Sequence, residues 1–377
     1  MFSRILNLRE LLKKRSFFLF GPRGTGKSTL IDATLPEARI YDLLDPVVFE
    51  RLVRSPGLLS EESAGEQLIV IDEVQKLPSI LDEVQRLITK RKVRFLLTGS
   101  SARKIRRGGA NLLAGRAFEA SLFPLVSNEI PEFNLLSYLN TTGLPEFYGD
   151  SLAEEYLQAY VGTYLKEEIQ AEALTRNLPG FSRFLEVIAL SNGQEINYAS
   201  LASDCGIPVR TLQGYFSILN DTLLGFEVPP FLKTIKRKAI TRSKYFLFDV
   251  GVVNHLARRG KIALKSELFG SAFEHFIALE LRAWLSYTRR NDELRYWRST
   301  SQFEVDYIIG TKLAIEVKGT DLVTDKHLRG LRALAEEGLI EQYVVVSLDA
   351  NKRITDDGIL ILPWKIFCRE LWENKIG

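Results

Sequence analysis

An apolar run, Phe17-Phe18-Leu19-Phe20, opens directly into Gly21-Pro22-Arg23-Gly24-Thr25-Gly26-Lys27-Ser28, and this junction constrains the chain more than any other segment. The spacing is G-x-x-x-x-G-K-S, which has meaning only with a strand before the loop and a helix after it. Gly21, Gly24 and Gly26 let the backbone curl so that successive N–H groups face one anion. A helix continuing from Thr29 adds its positive N-terminal end. Lys27 is then placed to reach the β- and γ-phosphates of a nucleotide, and the Ser28 hydroxyl to ligate magnesium. The plain alternative is a glycine-rich turn that only joins strand to helix.

A second segment argues against that alternative. Leu68-Ile69-Val70-Ile71-Asp72-Glu73 is a continuous apolar run ending in two carboxylates. A strand apolar on both faces suits the centre of a parallel sheet. Ligands of such sheets sit at the carboxyl ends of the strands, where Asp72 and Glu73 fall. Asp72 is expected to hold magnesium, directly or through water, and Glu73 to act as general base on the attacking water. A third run, from Val93, ends in Thr98-Gly99-Ser100-Ser101 and brings hydroxyls to the same edge. Ser100 is the candidate there, against the alternative of a plain loop serine. Binding and hydrolysis of a nucleoside triphosphate is the expectation.

These three segments together resemble the AAA-type ATPases of archaea and bacteria, in particular a group whose members carry a C-terminal domain of uncertain function. The resemblance implies a sheet of order 5-1-4-3-2, a sensor role for Ser100, and ATP with Mg2+ as cofactors. It also implies that Arg116, in Leu-Ala-Gly-Arg before a strand at 118–122, acts on the γ-phosphate of a neighbouring subunit in a homo-oligomer formed in the ATP state. A surface arginine or a structural ion pair is the other reading of Arg116.

At 377 residues the chain has material for two or three domains. It has no apolar run of about 18 residues, which a membrane span needs. Its first residues lack the long apolar core of a signal peptide. Cys205 and Cys368 make no disulfide framework, and a reducing cytoplasm is the expected location. A net charge of +3 excludes nothing by itself, so local clusters matter. One is Arg103, Lys104, Arg106, Arg107 and Arg116; another is Lys233, Lys236, Arg237, Lys238, Arg242 and Lys244, and neither has an acidic residue within it. From Leu152 to Leu174 the apolar spacing turns helical, with Tyr156, Ala159, Tyr160, Tyr164 and Leu165 on repeating turns.

Residues 197–224 have the pattern of a helix-turn-helix. A short helix carrying Leu201 and Ala202 stops at Gly206, and Pro208 begins the next. The second helix repeats Leu212, Phe216 and Leu219 toward a core and leaves Arg210, Thr211 and Gln213 outward near its start. Recognition helices meet nucleic acid through such residues. The basic stretch 233–244 follows where a wing would contact phosphates. Winged helices also serve as protein-docking modules, and that alternative stays open.

Phe303 to Lys318 alternates with period two around Gly310-Thr311-Lys312, predicting a hairpin with a three-residue loop. With Ile309 opposite Leu313, Asp306 faces Glu316 and Glu304 faces Lys318. One face is then Phe303, Val305, Tyr307, Ile309, Leu313, Ile315 and Val317; the other gathers the charges. Like charges opposed at about 4.5–5.5 Å destabilise a sheet, and a divalent cation turns such a clash into a site. The hairpin resembles the D-x(n)-E-x-K core of PD-(D/E)XK nucleases, and that resemblance implies a further carboxylate from a preceding helix, here Glu274. A cross-strand Glu304–Lys318 ion pair is the alternative.

The fold class expected is α/β in three parts. Residues 1–130 form a P-loop AAA-type parallel sheet with helices on both faces. Residues 131–245 form a helical lid and winged helix-turn-helix, and 246–377 a smaller α/β PD-(D/E)XK nuclease-like domain. The expected function is an ATPase acting on nucleic acid, DNA ahead of RNA. The rival is a nucleotide-controlled switch whose C-terminal domains bind a protein partner.

Overall fold

Phe18 and Leu19 are buried completely, and their strand lies inside a five-stranded parallel sheet. The computed structural model describes residues 2–101, 103, 113, 115–164 and 177–376; Lys104, Arg106, Arg107 and the expected helical stretch at 165–174 lie outside them. The chain divides into two compact units. The first comprises Met1–Leu125, Leu144–Glu146 and Ile218–Leu224, and the second Val126–Gly143, Phe147–Ser217 and Gly225–Gly377.

In the first unit the strands are β1 (Ser16–Phe20), β2 (Arg39–Asp42), β3 (Leu68–Asp72), β4 (Arg94–Gly99) and β5 (Ala117–Ser121). Their order is β2-β3-β4-β1-β5, the 5-1-4-3-2 arrangement that the resemblance implies. β1 pairs with β4 and β5, and β3 with β2 and β4, all in parallel. Alternate residues Phe18, Phe20, Ile69, Ile71, Phe95 and Leu97 point to one core. There they meet Ile80, Leu81, Val84 and Leu87 from helix Ile80–Arg91. This explains why β3 tolerates no polar residue until its last position.

The second unit begins its helix-turn-helix with Leu178–Leu190, Tyr198–Cys205 and Val209–Asp221. Asn177 and Asn197 cap the first two by accepting from Gly180 N–H at 3.0 Å and Ser200 N–H at 3.2 Å. Gly206 closes the second helix at φ 63, a conformation that favours glycine. The apolar face of Val209–Asp221 is buried as predicted, while Arg210 and Gln213 are exposed. β6 (Gly225–Val228) and β7 (Lys244–Leu247) follow as an antiparallel pair.

The remaining strands are β8 (Leu294–Arg298), β9 (Glu304–Ile309), β10 (Leu313–Lys318), β11 (Gln342–Ser347), β12 (Arg353–Ile354) and β13 (Leu360–Pro363). They form one sheet of order β12-β13-β11-β10-β9-β8. Helices Glu267–Tyr287 and Asp325–Ala335 pack on it. Among the described residues no helix is long and apolar enough to cross a membrane.

Two expectations are corrected here. The hairpin register holds from Ile309↔Leu313 to Tyr307↔Ile315, but the ladder stops there. The register of β9 against β8 shifts between Arg295 and Trp297, a bulge that breaks strict alternation. Val305, Ile308 and Ala314 therefore share one core, and Asp306 turns its carboxylate to accept from Val317 N–H at 2.7 Å. Glu304 is paired in register with Arg298 of β8 instead of Lys318.

The basic stretch, in turn, is no free wing. Residues 229–243 run along β8: Phe231 N–H donates to Tyr296 O at 2.6 Å, and Ile240 N–H to Arg298 O at 2.8 Å. Phe231 is 1% exposed and joins the core beside Trp297. The Glu337 carboxylate accepts from the N–H groups of Ile235, Lys236 and Arg237 at 2.8–3.0 Å. Arg237 also pairs with Glu336 at 2.6 Å. Lys244 is buried, leaving Lys233, Lys238 and Arg242 as the exposed cations of that stretch.

Candidate functional site

The carboxyl ends of β1, β3 and β4 converge beside the glycine-rich loop. Gly24 and Gly26 sit at φ 79 and 83, so both positions need glycine. Gly21 has no room for a side chain, since a Cβ there would lie 2.5 Å from Leu122 O. Thr25 is fully buried and its hydroxyl donates to Pro22 O at 2.8 Å, bracing the loop from within. Arg4 donates to Thr25 O and Phe123 O, each at 2.6 Å, tying the loop to the segment after β5. Helix Lys27–Thr34 starts at the loop, which ends in the left-handed Gly26.

Lys27 folds back, donating to Gly21 O at 2.7 Å and Pro22 O at 3.3 Å. Ser28 Oγ donates to Asp72 Oδ2 at 3.1 Å, so the expected pair of cation ligands is in contact. The other oxygen, Asp72 Oδ1, accepts from the Thr98 hydroxyl and from Glu73 N–H at 3.2 Å. An oxygen pair with both carboxylate atoms oriented and one exposed hydroxyl beside it has the donor chemistry that magnesium takes. Of the Thr98–Ser101 hydroxyls, Thr98 touches Asp72, whereas Ser100 does not.

Glu73 stands at φ 57, left-handed for a residue other than glycine. Such positions cost about 1–3 kcal/mol and collect at functional turns. The turn swings the Glu73 side chain onto Gln75, whose Nε2 donates to its carboxylate and also to Ser100 Oγ at 3.3 Å. Gln75 is 7% exposed and its Oε1 is buried without a hydrogen-bond partner. Sequence reasoning missed Gln75; the one signal was a polar side chain where apolar spacing calls for a core residue. Arg116 follows the left-handed Gly115 and is exposed, just before β5. Arg103 pairs with Asp221 within the same unit.

The second set of expected residues also gathers, around two lysines. Glu274 comes from helix Glu267–Tyr287, Asp306 from β9, and Glu316 and Lys318 from β10. Lys318 pairs with Glu316 and lies 3.8 Å from Asp306 Oδ2. Lys244 Nζ lies 2.7 Å from Glu304, 3.0 Å from Glu274 and 3.9 Å from Asp306. Burial pulls the Lys244 ammonium down, but Glu274, Asp306 and Glu304 outweigh it and raise its pKa. Burial likewise raises the Glu274 carboxyl to about 7 against the pull of Lys244, and raises Glu316 well above the ordinary range, with Asp306 adding to it. Among the described residues no three His, Cys, Asp or Glu side chains gather closely enough to hold a metal.

Residues 13–131 match the family model of an AAA domain. Residues 132–262 match a domain of unknown function (DUF8612), and residues 269–367 another (DUF4143). Among solved structures, a signal transduction ATPase with numerous domains (STAND) that carries a tetratricopeptide repeat sensor, from Pyrococcus horikoshii, is similar at 14% identity. That match covers 76% of this chain and 46% of the other, at a TM-score of 0.24, so the chain spans less than half of that protein's length. No curated protein matches. The N-terminal part of the chain is thus an AAA-type P-loop ATPase domain.

Proposed function

We propose that the chain hydrolyses ATP with magnesium at the edge formed by β1, β3 and β4. The observation that carries this reading is the Ser28–Asp72 hydrogen bond, 3.1 Å long and beside the loop that ends in Lys27. Bound Mg-ATP supplies the cleavable phosphoanhydride and a divalent charge against the phosphates. Loop N–H groups over residues 21–29 orient the phosphates. Lys27 leaves its own loop carbonyls to reach them, and Ser28 and Asp72 hold the cation. Thr98 and the Glu73 N–H keep Asp72 aimed. Glu73 takes a proton from the attacking water, while Gln75 positions it and links it to the sensor Ser100. Arg116 places its charge on the γ-phosphate of a neighbouring copy, so that turnover belongs to an oligomer.

Its coupled action is on nucleic acid, with Arg210, Thr211 and Gln213 of the helix-turn-helix against the duplex and residues 246–377 as a nuclease-like end. One observation favours the second reading, a nucleotide-controlled switch or assembly factor: Lys244 and Lys318 lie among the carboxylates of that end. The experiment is ATP turnover measured with and without added DNA or RNA, with Glu73→Gln as the control. A rate raised by nucleic acid, and lost with Arg210→Ala, supports the first reading. A rate indifferent to both nucleic acids supports the switch, and turnover unchanged by Glu73→Gln overturns the site itself.

A further inference from the structure

Lys244 is the first residue of β7, and it is 5% exposed. Its nitrogen sits among carboxylates from two other elements, Glu274 on a helix and Glu304 and Asp306 on β9. Next to them Glu316 is held by Lys318 through one oxygen, while Glu316 Oε2 is buried with no hydrogen-bond partner. Arg298 Nε adds a third positive charge 3.7 Å from Glu304. Four carboxylates therefore face three cations, and one of their oxygens remains unsatisfied. Such an excess of buried negative charge is costly unless further compensated.

Convergent carboxylate oxygens are what a hard divalent cation takes, at about 2.0–2.6 Å instead of the 2.7–3.0 Å of the two closest ammonium contacts. We propose that Lys244 is a tethered cation standing in the place of a divalent metal, so that the cluster refuses Mg2+ or Mn2+ while β7 is docked and accepts one when Lys244 is withdrawn. β7 belongs with β6 in its own two-stranded sheet, separate from the six-stranded sheet that carries Glu304, Asp306 and Glu316. The lysine and the carboxylates thus ride on different elements, and a shift of the β6–β7 pair opens the cluster without disturbing its strands. The inference rests on the nuclease-like reading of residues 246–377 and adds its regulation.

The test is Mn2+ binding to the full chain without nucleotide, followed by electron paramagnetic resonance, for the parent, Lys244→Met, Lys244→Gln and each of these with Asp306→Asn. Any weak binding at Asp72 is common to all, so sensitivity to Asp306→Asn isolates the cluster. The parent should show no such sensitive site. Lys244→Met or Lys244→Gln should gain one, tighter by about tenfold or more, because removing a positive charge raises the net charge of the ligand set. A variant that loses its cooperative melt without metal should regain it with Mn2+, the same gain seen as folding. A parent that already binds Mn2+ through Asp306 overturns the proposal, as does a Lys244 variant that neither binds nor refolds with metal. Incubating the same samples with DNA separates the two readings. A Lys244 variant that binds metal but cleaves nothing upholds the tethered cation and sinks the nuclease; parent cleavage dependent on metal and Asp306 does the reverse.

Discussion

Gln75 and Glu73 are joined side chain to side chain, and the same Gln75 amide nitrogen reaches Ser100 Oγ at 3.3 Å. The expected base and the expected sensor therefore share one donor. Gln75→Ala removes about one charge-assisted hydrogen bond from Glu73, which corresponds to roughly tenfold in rate. ATP hydrolysis should fall by about that factor, with nucleotide affinity unchanged, since Gln75 touches neither the loop nor Asp72. A loss of affinity equal to the loss of rate would mean that Gln75 supports the loop instead.

Glu73→Gln keeps the shape of the turn and removes the base. Hydrolysis should drop by about 10²- to 10⁴-fold while ATP still binds. Lys27→Ala should act the other way round, weakening binding by removing a cation from the phosphates. Equilibrium nucleotide binding alongside single-turnover hydrolysis separates the two.

Arg116 lies in an exposed turn before β5, where a neighbouring copy can meet it. With Glu73→Gln to block turnover, ATP should favour a larger assembly in sedimentation, because the nucleotide contacts both copies. Arg116→Ala should lose hydrolysis by as much as about 10³-fold with little change in affinity. One unchanged monomer with and without ATP would rule out an arginine supplied by a neighbour.

Glu280 gives the second unit a pH dependence. Burial raises its carboxyl to about 7, against the pull of its donors Ser127 N–H and Trp372 Nε1, at 2.6 and 2.7 Å. Above its unfolded value the open chain releases the proton while the folded chain keeps it. Stability present below about 4.5 is thus lost as pH rises through about 7. Glu280→Gln is neutral throughout and should flatten that fall by an amount on the order of 3 kcal/mol. Glu274, raised by burial in the same direction, leaves part of the slope in place. Chemical denaturation at about pH 5 and about pH 8 measures the difference; equal slopes in parent and variant would assign the proton elsewhere.

The phosphate loop, Asp72 and the sheet order were legible in the chain because parallel-sheet strands are apolar on both faces and end where chemistry begins. Gln75 was not, because a left-handed turn at Glu73 breaks the pattern just where the strand stops. Local spacing also placed Ser100 at the edge but not Thr98 on Asp72, since a hydroxyl's direction depends on the neighbouring strand. In the C-terminal part the hairpin loop and its first three pairs followed from alternation. The bulge that turns Asp306 onto Val317 N–H left no such trace. Lys244 belonged to a run with no acidic residue in it, yet its partners Glu274 and Glu304 lie far along the chain. Charge compensation over such separations is invisible to a local window.

The strap of residues 229–243 along β8 bears on how such a chain can be inherited. Phe231 fills a core otherwise made of later residues, and Glu337 holds the strap through three backbone N–H groups. A recombination joint at residue 245 would split β7 and strip that cover from Trp297. The helix-turn-helix and the sheet behind it must therefore pass from one ancestor to the next as a single piece, whatever becomes of the ATPase domain in front of them.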